Sequence, residues 1–229
     1  MEPRMRETDV VIDRWMDRAR EILRQSGSAV DLALRMSYRH PNGFDKVSFD
    51  YTNLNEATTR LHIWWPSGRD PLGHDRDRDD SDIHDHPWSF ISTVITGEIH
   101  NYTFNLQPSI ESDGAFVNNF SRQIIYIRDR KKPADVVRVV RVADCDIDRI
   151  RVDAVLPGES YSMDFTTLHR LVPSLKTVSG TLVLQQPLSR RYSTLIRPIG
   201  ESLDVSGQAT KFSASELRTI VGSFLDHIG

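Results

Sequence analysis

Apolar positions recur at helical spacing at both ends of the chain and alternate at strand spacing between them. Over residues 8–37, Val11, Trp15, Ala19, Ile22 and Leu23, then Val30, Leu32, Leu34 and Met36, mark two amphipathic helices broken near Gly27. From about 44 to 200 the chain turns to short runs rich in Val, Ile, Phe, Tyr and Thr, separated by Gly, Pro, Asn and Asp, as in an antiparallel barrel or sandwich. The clearest runs are 45–51, 60–65, 89–96, 98–104, 122–128, 136–142, 160–165 and 179–186. Residues 67–82 form a highly polar stretch with too little apolar surface to pack, read as a solvated excursion or a lid over a barrel mouth. A capping box, Ser213 to Glu216, opens a closing helix with Leu217, Ile220, Val221, Phe224 and Leu225 on one side. The pattern predicts one mainly β domain over 1–229: a helical extension (1–43), a β-barrel core (44–200) and a helical tail (201–229). The helices are expected to pack on the outside of a sheet.

Composition narrows the partners. Charged residues make up 27% of the 229 and the net charge is −3, so the overall balance points to neither nucleic acid nor an anionic membrane. No stretch approaches the roughly 20 apolar residues of a membrane span, and the first residues lack an apolar signal core. Cys145 is the only cysteine, which excludes an intramolecular disulfide framework and a thiolate metal cluster and fits a reducing, cytoplasmic setting.

Candidate chemistry begins at Ile83-His84-Asp85-His86-Pro87-Trp88. On a strand, side chains two apart face the same way, so His84 and His86 can share one face while Asp85 takes the other. Two imidazoles on one face suit iron, zinc, copper, nickel or manganese, although an isolated pair of this kind is more often incidental. Trp88 and Phe90 share the parity of the histidines and should line the same interior. Glu98 and His100, on the return strand after Gly97, are candidates for a fourth ligand or general base. Arg60 shares a face with His62 and Trp64. If that face is inward, Arg60 can hold a substrate carboxylate; if not, it is a surface arginine on an edge strand. Tyr161 and Gln185 are candidate polar contacts. His40, His74 and His227 read as solvated or structural, Arg190-Arg191 as an exposed basic pair.

The spacing of these residues resembles the cupin superfamily. Its first motif, G(X)5HXH(X)3,4E(X)6G, is met by His84, His86 and Gly97, and its second, G(X)5PXG(X)2H(X)3N, by Gly158 and His169. Arg78, Phe90, Asp164, Thr166 and Pro173 stand at the remaining motif positions, so Phe90 replaces the usual carboxylate ligand. The resemblance implies a jelly-roll barrel with a metal on His84, His86 and His169. The gap between the motifs, 98–157, is long for a cupin and must hold extra strands or an insertion.

A three-histidine face is the pattern of the cysteine dioxygenase branch, which the chain resembles over about 45–105 and 155–187, at Tyr51-Thr52, Leu61–Trp65, Ile83–His86 and Ile95–Glu98. The carboxylate-gripping arginine of that branch is Asn53 here, its crosslinking cysteine is absent near Ile91, and its Ser/His/Tyr set has become Thr181–Gln186. What the resemblance implies is therefore a mononuclear Fe(II), O2-dependent oxygenase of a small metal-chelating substrate, a thiol or carboxylate, without the cysteine-recognition residues. Three neutral ligands leave room for substrate and O2 side by side. Two alternatives stay open: a cupin isomerase or hydrolase using Zn, Ni or Mn as a Lewis acid, and a non-enzymatic ligand-binding cupin. Exposed edge strands would also let the barrel pair as a homodimer.

Overall fold

The structure is a computed structural model and describes residues 7–24, 28–40, 42–49, 57–74, 82–107, 111–112, 115–116, 120–126, 139–174, 176–199 and 209–229. Helices α1 (Glu7–Arg24) and α2 (Ser28–Met36) precede β1 (Tyr38–Arg39), β2 (Asp45–Ser48), β3 (Thr58–Trp64), β4 (Ile83–His84), β5 (Phe90–Thr96) and β6 (Ile99–Gln107). Then come β7 (Glu111–Ser112), β8 (Ala115–Phe116), β9 (Phe120–Tyr126), β10 (Val139–Val155), β11 (Ser160–Met163), β12 (Leu168–Pro173), β13 (Ser179–Gln185), β14 (Tyr192–Pro198), β15 (Thr210–Lys211) and α3 (Ala214–Ile228). A seven-stranded sheet runs β11-β5-β13-β3-β2-β1-β15, and the strands β10-β6-β12-β4-β14-β9 close into a barrel beside it. The chain crosses repeatedly between the two, an antiparallel cupin-type arrangement with helices at both ends.

Strand β10 is what closes the second sheet. Its first half pairs with β9 and its second half with β6, each with one register shift. Sequence patterning placed only 136–142 of it. The continuation alternates Cys145 and Ile147 against Asp144, Asp146 and Asp148, a period of two that serves a strand with one wet face. The long gap between the motifs is thus filled largely by β6, β9 and β10. Strands β12 and β14 escape the pattern because neither has a uniformly apolar face. Expectations at 50–51, 75–81, 127–128 and 136–138 lie outside the described residues.

Both ends of the chain add to the seven-stranded sheet: Tyr38 and Arg39 pair with Lys211 and Thr210 on one side and with Lys46 and Asp45 on the other. The helices cover that sheet's outer face, where Trp15, Ala19 and Ile22 of α1 and Leu217, Ile220, Val221 and Phe224 of α3 pack with Val47, Leu61, Ile63, Trp65 and Leu182. Trp15 stands edge-on to Phe49 and Phe224, at 5.9 and 6.0 Å between ring centroids. Each large side chain so buried contributes about 1.5–3 kcal/mol. The capping box reads out as expected, with Ser213 Oγ accepting from the Glu216 N–H and the Glu216 carboxylate from the Ser213 N–H. Among the described residues no helix is long and apolar enough to cross a membrane.

With its apolar positions turned to the helices, the sheet sends its polar alternate positions inward. Lys46 faces His62, which faces Thr181, across three adjacent strands. Within the 67–82 stretch Ser67, Gly68 and Arg69 are exposed, while Asp70 is buried with its carboxylate 3.2 Å from Arg39.

Gly97, which ends the first motif, turns the chain from β5 into β6 at φ +73°. A Cβ there would come within 2.7 Å of both Ser179 Cα and the Val178 carbonyl oxygen. Gly97→Ala should therefore lower unfolding stability by about 2–4 kcal/mol, from left-handed strain and overpacking together. A change below 1 kcal/mol in urea unfolding would show that this turn relaxes freely.

Candidate metal centre

His84 of β4 and His169 of β12 are direct cross-strand partners. His86 lies two residues on, just past the end of β4, and returns to the same face. The three rings form a near-equilateral triangle, with centroids 4.8 Å (84–86), 5.0 Å (84–169) and 5.0 Å (86–169) apart. One ligand nitrogen from each lies within 4.8 Å of the others, and among the described residues no acidic group joins them.

The protonation pattern suits a cation. His84 Nδ1 donates to the Asp82 carbonyl at 2.6 Å, which leaves Nε2 with its lone pair. Burial holds all three imidazoles below the ordinary histidine range, His86 and His169 well below it, and their mutual repulsion adds to the effect for both. They are neutral, as metal ligands must be. His86 Nε2 and His169 Nε2 are 3.0 Å apart. That separation suits an N–H···N bond between neutral rings, and equally two nitrogens each about 2.1 Å from one ion at a right angle. His169 Nδ1 is buried and lacks a partner among the described residues.

Phe90, which stands at the carboxylate position of the motif, packs its ring beside two of the histidines. Its ring centroid is 5.1 Å from that of His86 and 5.8 Å from that of His169. Trp88 stacks on His86 at 5.7 Å and 22°, and the Arg60 guanidinium lies 5.1 Å from the Trp88 ring centre. Strand β3 sits between β13 and β2, so Arg60 is neither on an edge nor at the surface. At 8% exposure it faces the histidines' side of the sheet. Tyr161 meets Phe90 edge-on at 6.1 Å and pairs across strands with Ser92. Burial pushes its phenol up to about 12, so it is a neutral hydrogen-bond donor at physiological pH. Gln185 lies between Phe90 and Thr58 in register, and its Oε1, like Thr58 Oγ1, is buried without a partner among the described residues.

Glu98 and His100 are not brought to the histidines. They pair with each other at 2.7 Å, each side chain more than 40% exposed. The cause is strand parity: Thr103, opposite His169, shares its face with Asn101, and His100 takes the other. Arg170 turns away from the histidines as well, toward Tyr102.

Sequence reasoning missed Arg190. Arg191 is exposed, but Arg190 reaches beneath the metal-ligand turn, paired with the Asp85 carboxylate and donating to the His86 carbonyl at 3.3 Å. Asp85 also accepts from the Thr194 N–H at 2.6 Å, so the residue between the two histidines is held from behind. No local pattern signals this, because the partners are more than 100 residues apart.

His40 is structural. It stacks on Phe44 at 4.4 Å and accepts at Nδ1 from the Asn42 N–H. Burial, helped by the charges of His84 and Lys46, lowers its pKa from 6.5 to about 3. The unfolded chain takes up this proton as the pH falls through 6.5 while the folded chain does not until about 3. The stabilisation from His40 is therefore intact above that window and is lost as the pH falls through it. At pH 5 this amounts to about 2 kcal/mol. His40→Phe, which keeps the stack, should flatten the decline in stability between pH 7 and 5. An unchanged slope in urea unfolding at the two pH values would place the acid sensitivity elsewhere.

No family model and no curated protein matches the sequence. Among solved structures, the chain is similar to the hydroxypropylphosphonic acid epoxidase from S. wedmorenis, with a TM-score of 0.34, 11% identity and coverage of 63% of this chain and 51% of that one. It thus spans about half of the epoxidase. It is also similar to oxalate oxidase, solved with the substrate analogue glycolate (TM-score 0.37, 13% identity, 88% and 78% covered), and to the Drosophila melanogaster CENP-C cupin domain (0.34, 10%, 80% and 100%). Strand order and histidine placement together define a cupin-type β-barrel whose three clustered histidines form a candidate metal site.

Proposed function

We propose that the protein is a mononuclear Fe(II), O2-dependent oxygenase acting on a small metal-chelating substrate, with His84, His86 and His169 as the metal ligands. The observation that carries this reading is the neutral triad with Phe90 where a carboxylate ligand would stand. Iron held there would supply oxygen activation, and with no anionic protein ligand its charge is left for an anionic substrate to balance. The protein's own contribution is positioning and dryness. Arg60, above Trp88 and buried, offers a cation for a substrate carboxylate. Tyr161 and Gln185 offer a phenolic donor and an amide, and Phe90 and Trp88 exclude water from the ligands' flank.

The test is oxygen uptake by anaerobically Fe(II)-loaded protein given a panel of small thiols and hydroxy- or oxo-carboxylates. Uptake that depends on both iron and one substrate class supports the reading. Turnover of such a substrate with Zn or Mn in the absence of O2 would replace it with Lewis-acid chemistry. In the active assay, Arg60→Met should raise KM at least about tenfold with a smaller change in kcat, as expected for a lost charge-assisted bond worth about 1.5–3 kcal/mol.

A further inference from the structure

A second cavity lies behind the metal-ligand strands. Its volume is about 260 Å³, and its walls include Asp85, Asn105, Arg122, Thr166, Arg190 and Thr194. Strand parity turns Asp85, Leu168 and Thr194 on its walls away from the triad. Asp85 faces away from the two histidines that flank it. Leu168, also on the wall, faces away from His169, and Thr194 faces away from Leu195, the cross-strand partner of His84. Leu168 joins its wall to the core cluster of Ile83, Cys145 and Ile196, and Thr166 on the wall is exposed to solvent.

Charge and hydrogen bonding on this wall are unbalanced. The carboxylate of Asp85 is already committed, to Arg190 and to the Thr194 N–H. Arg122 has no acidic partner within ion-pair distance among the described residues. The Nε of Arg122 and the Nε of Arg190 are both buried and both lack an acceptor there. Two guanidinium groups on the wall of one cavity call for acceptor oxygens, and the charge left over after Asp85 is positive. At about 260 Å³ the space is below the roughly 300–1,000 Å³ of pockets for drug-sized ligands. Hydroxyls at Thr166 and Thr194 add neutral partners.

The geometry points to a binding site for a small oxyanion, a carboxylate or a phosphate, held between Arg122 and Arg190 on the reverse side of the histidine strands. It does not depend on the reaction proposed for the triad. Because Arg190 also grips Asp85 and the His86 carbonyl, an anion there would draw on the group that holds the ligand turn in place.

Isothermal titration of the metal-free 229-residue protein with inorganic phosphate and, separately, with succinate tests the site. Binding of either supports it, and which one binds distinguishes the two sources of oxyanion. Arg122→Gln should weaken that binding at least about tenfold, since a charge-assisted bond is lost. Thr166→Asp, at an exposed position on the wall, should do the same by repulsion and decides the matter if Arg122→Gln fails to fold. Arg60→Met, on the triad's own face, should leave it unchanged. The site is overturned if neither anion binds at about 10 mM, if neither wall variant weakens binding, or if Arg60→Met abolishes it.

Discussion

His169→Ala protein, reloaded with Fe(II) under anaerobic conditions beside the wild type, should lose most of its metal, with an affinity more than about 100-fold lower. Even changes to groups that only support a ligand cost about 10–100-fold in metal affinity, so loss of a ligand itself must exceed that. The triad has no slack to absorb the loss. Its other two nitrogens come from one short segment, and Phe90 beside them has no atom to donate. His100→Ala, on the outer face of β6, is the matched control and should retain wild-type stoichiometry. Equal metal content in His169→Ala and wild type, measured by plasma emission, would remove the third ligand and with it the proposed oxygen chemistry.

Arg190→Met is expected to cost about 3–5 kcal/mol of stability, because it strands a buried carboxylate. The Asp85 side chain is only 4% exposed. Asp85→Asn should cost less, since it removes the charge together with the need for a counterion and leaves an oxygen for the Thr194 N–H. The double variant should then be less destabilised than the sum of the two single changes. Urea unfolding of the four proteins measures this coupling. If Arg190→Met alone costs under 1 kcal/mol, the carboxylate has another route to neutrality, and Arg190 is not what holds the His84–His86 turn.

These two expectations rest on different kinds of legibility. The triad could be read from spacing, because an H-x-H pair on one strand face and a histidine eleven residues after Gly158 are local patterns with a resemblance behind them. Phe90, Trp88 and the apolar faces of α1 and α3 were readable for the same reason: each is a question of parity or helical period within a few residues. Arg190 was not readable, since its partner Asp85 lies just past a short strand whose pairing is decided elsewhere.

Glu98 and His100 show how spacing can mislead. They stand near the metal ligands in sequence, yet β6 enters its sheet with Asn101 and Thr103 facing His169, and the same pleat that brings those two in turns His100 out. A register of one residue decides such a question. Arg60 shows the converse, since its parity was known but not which face of β3 was covered by helices.

What the sequence determined by itself was therefore the set of local periodicities: which segments are helices or strands, which side chains share a face, and which three histidines have ligand spacing. The tertiary structure alone decided which face of each strand is the interior. Burying Leu61, Ile63 and Trp65 under α1 and α3 leaves Arg60 and His62 no direction but inward, and closing β10 onto both β6 and β9 builds a second interior behind the histidines. The physical reason is that a strand's period of two is symmetric between its faces, and only long-range packing, absent from any local window, breaks that symmetry.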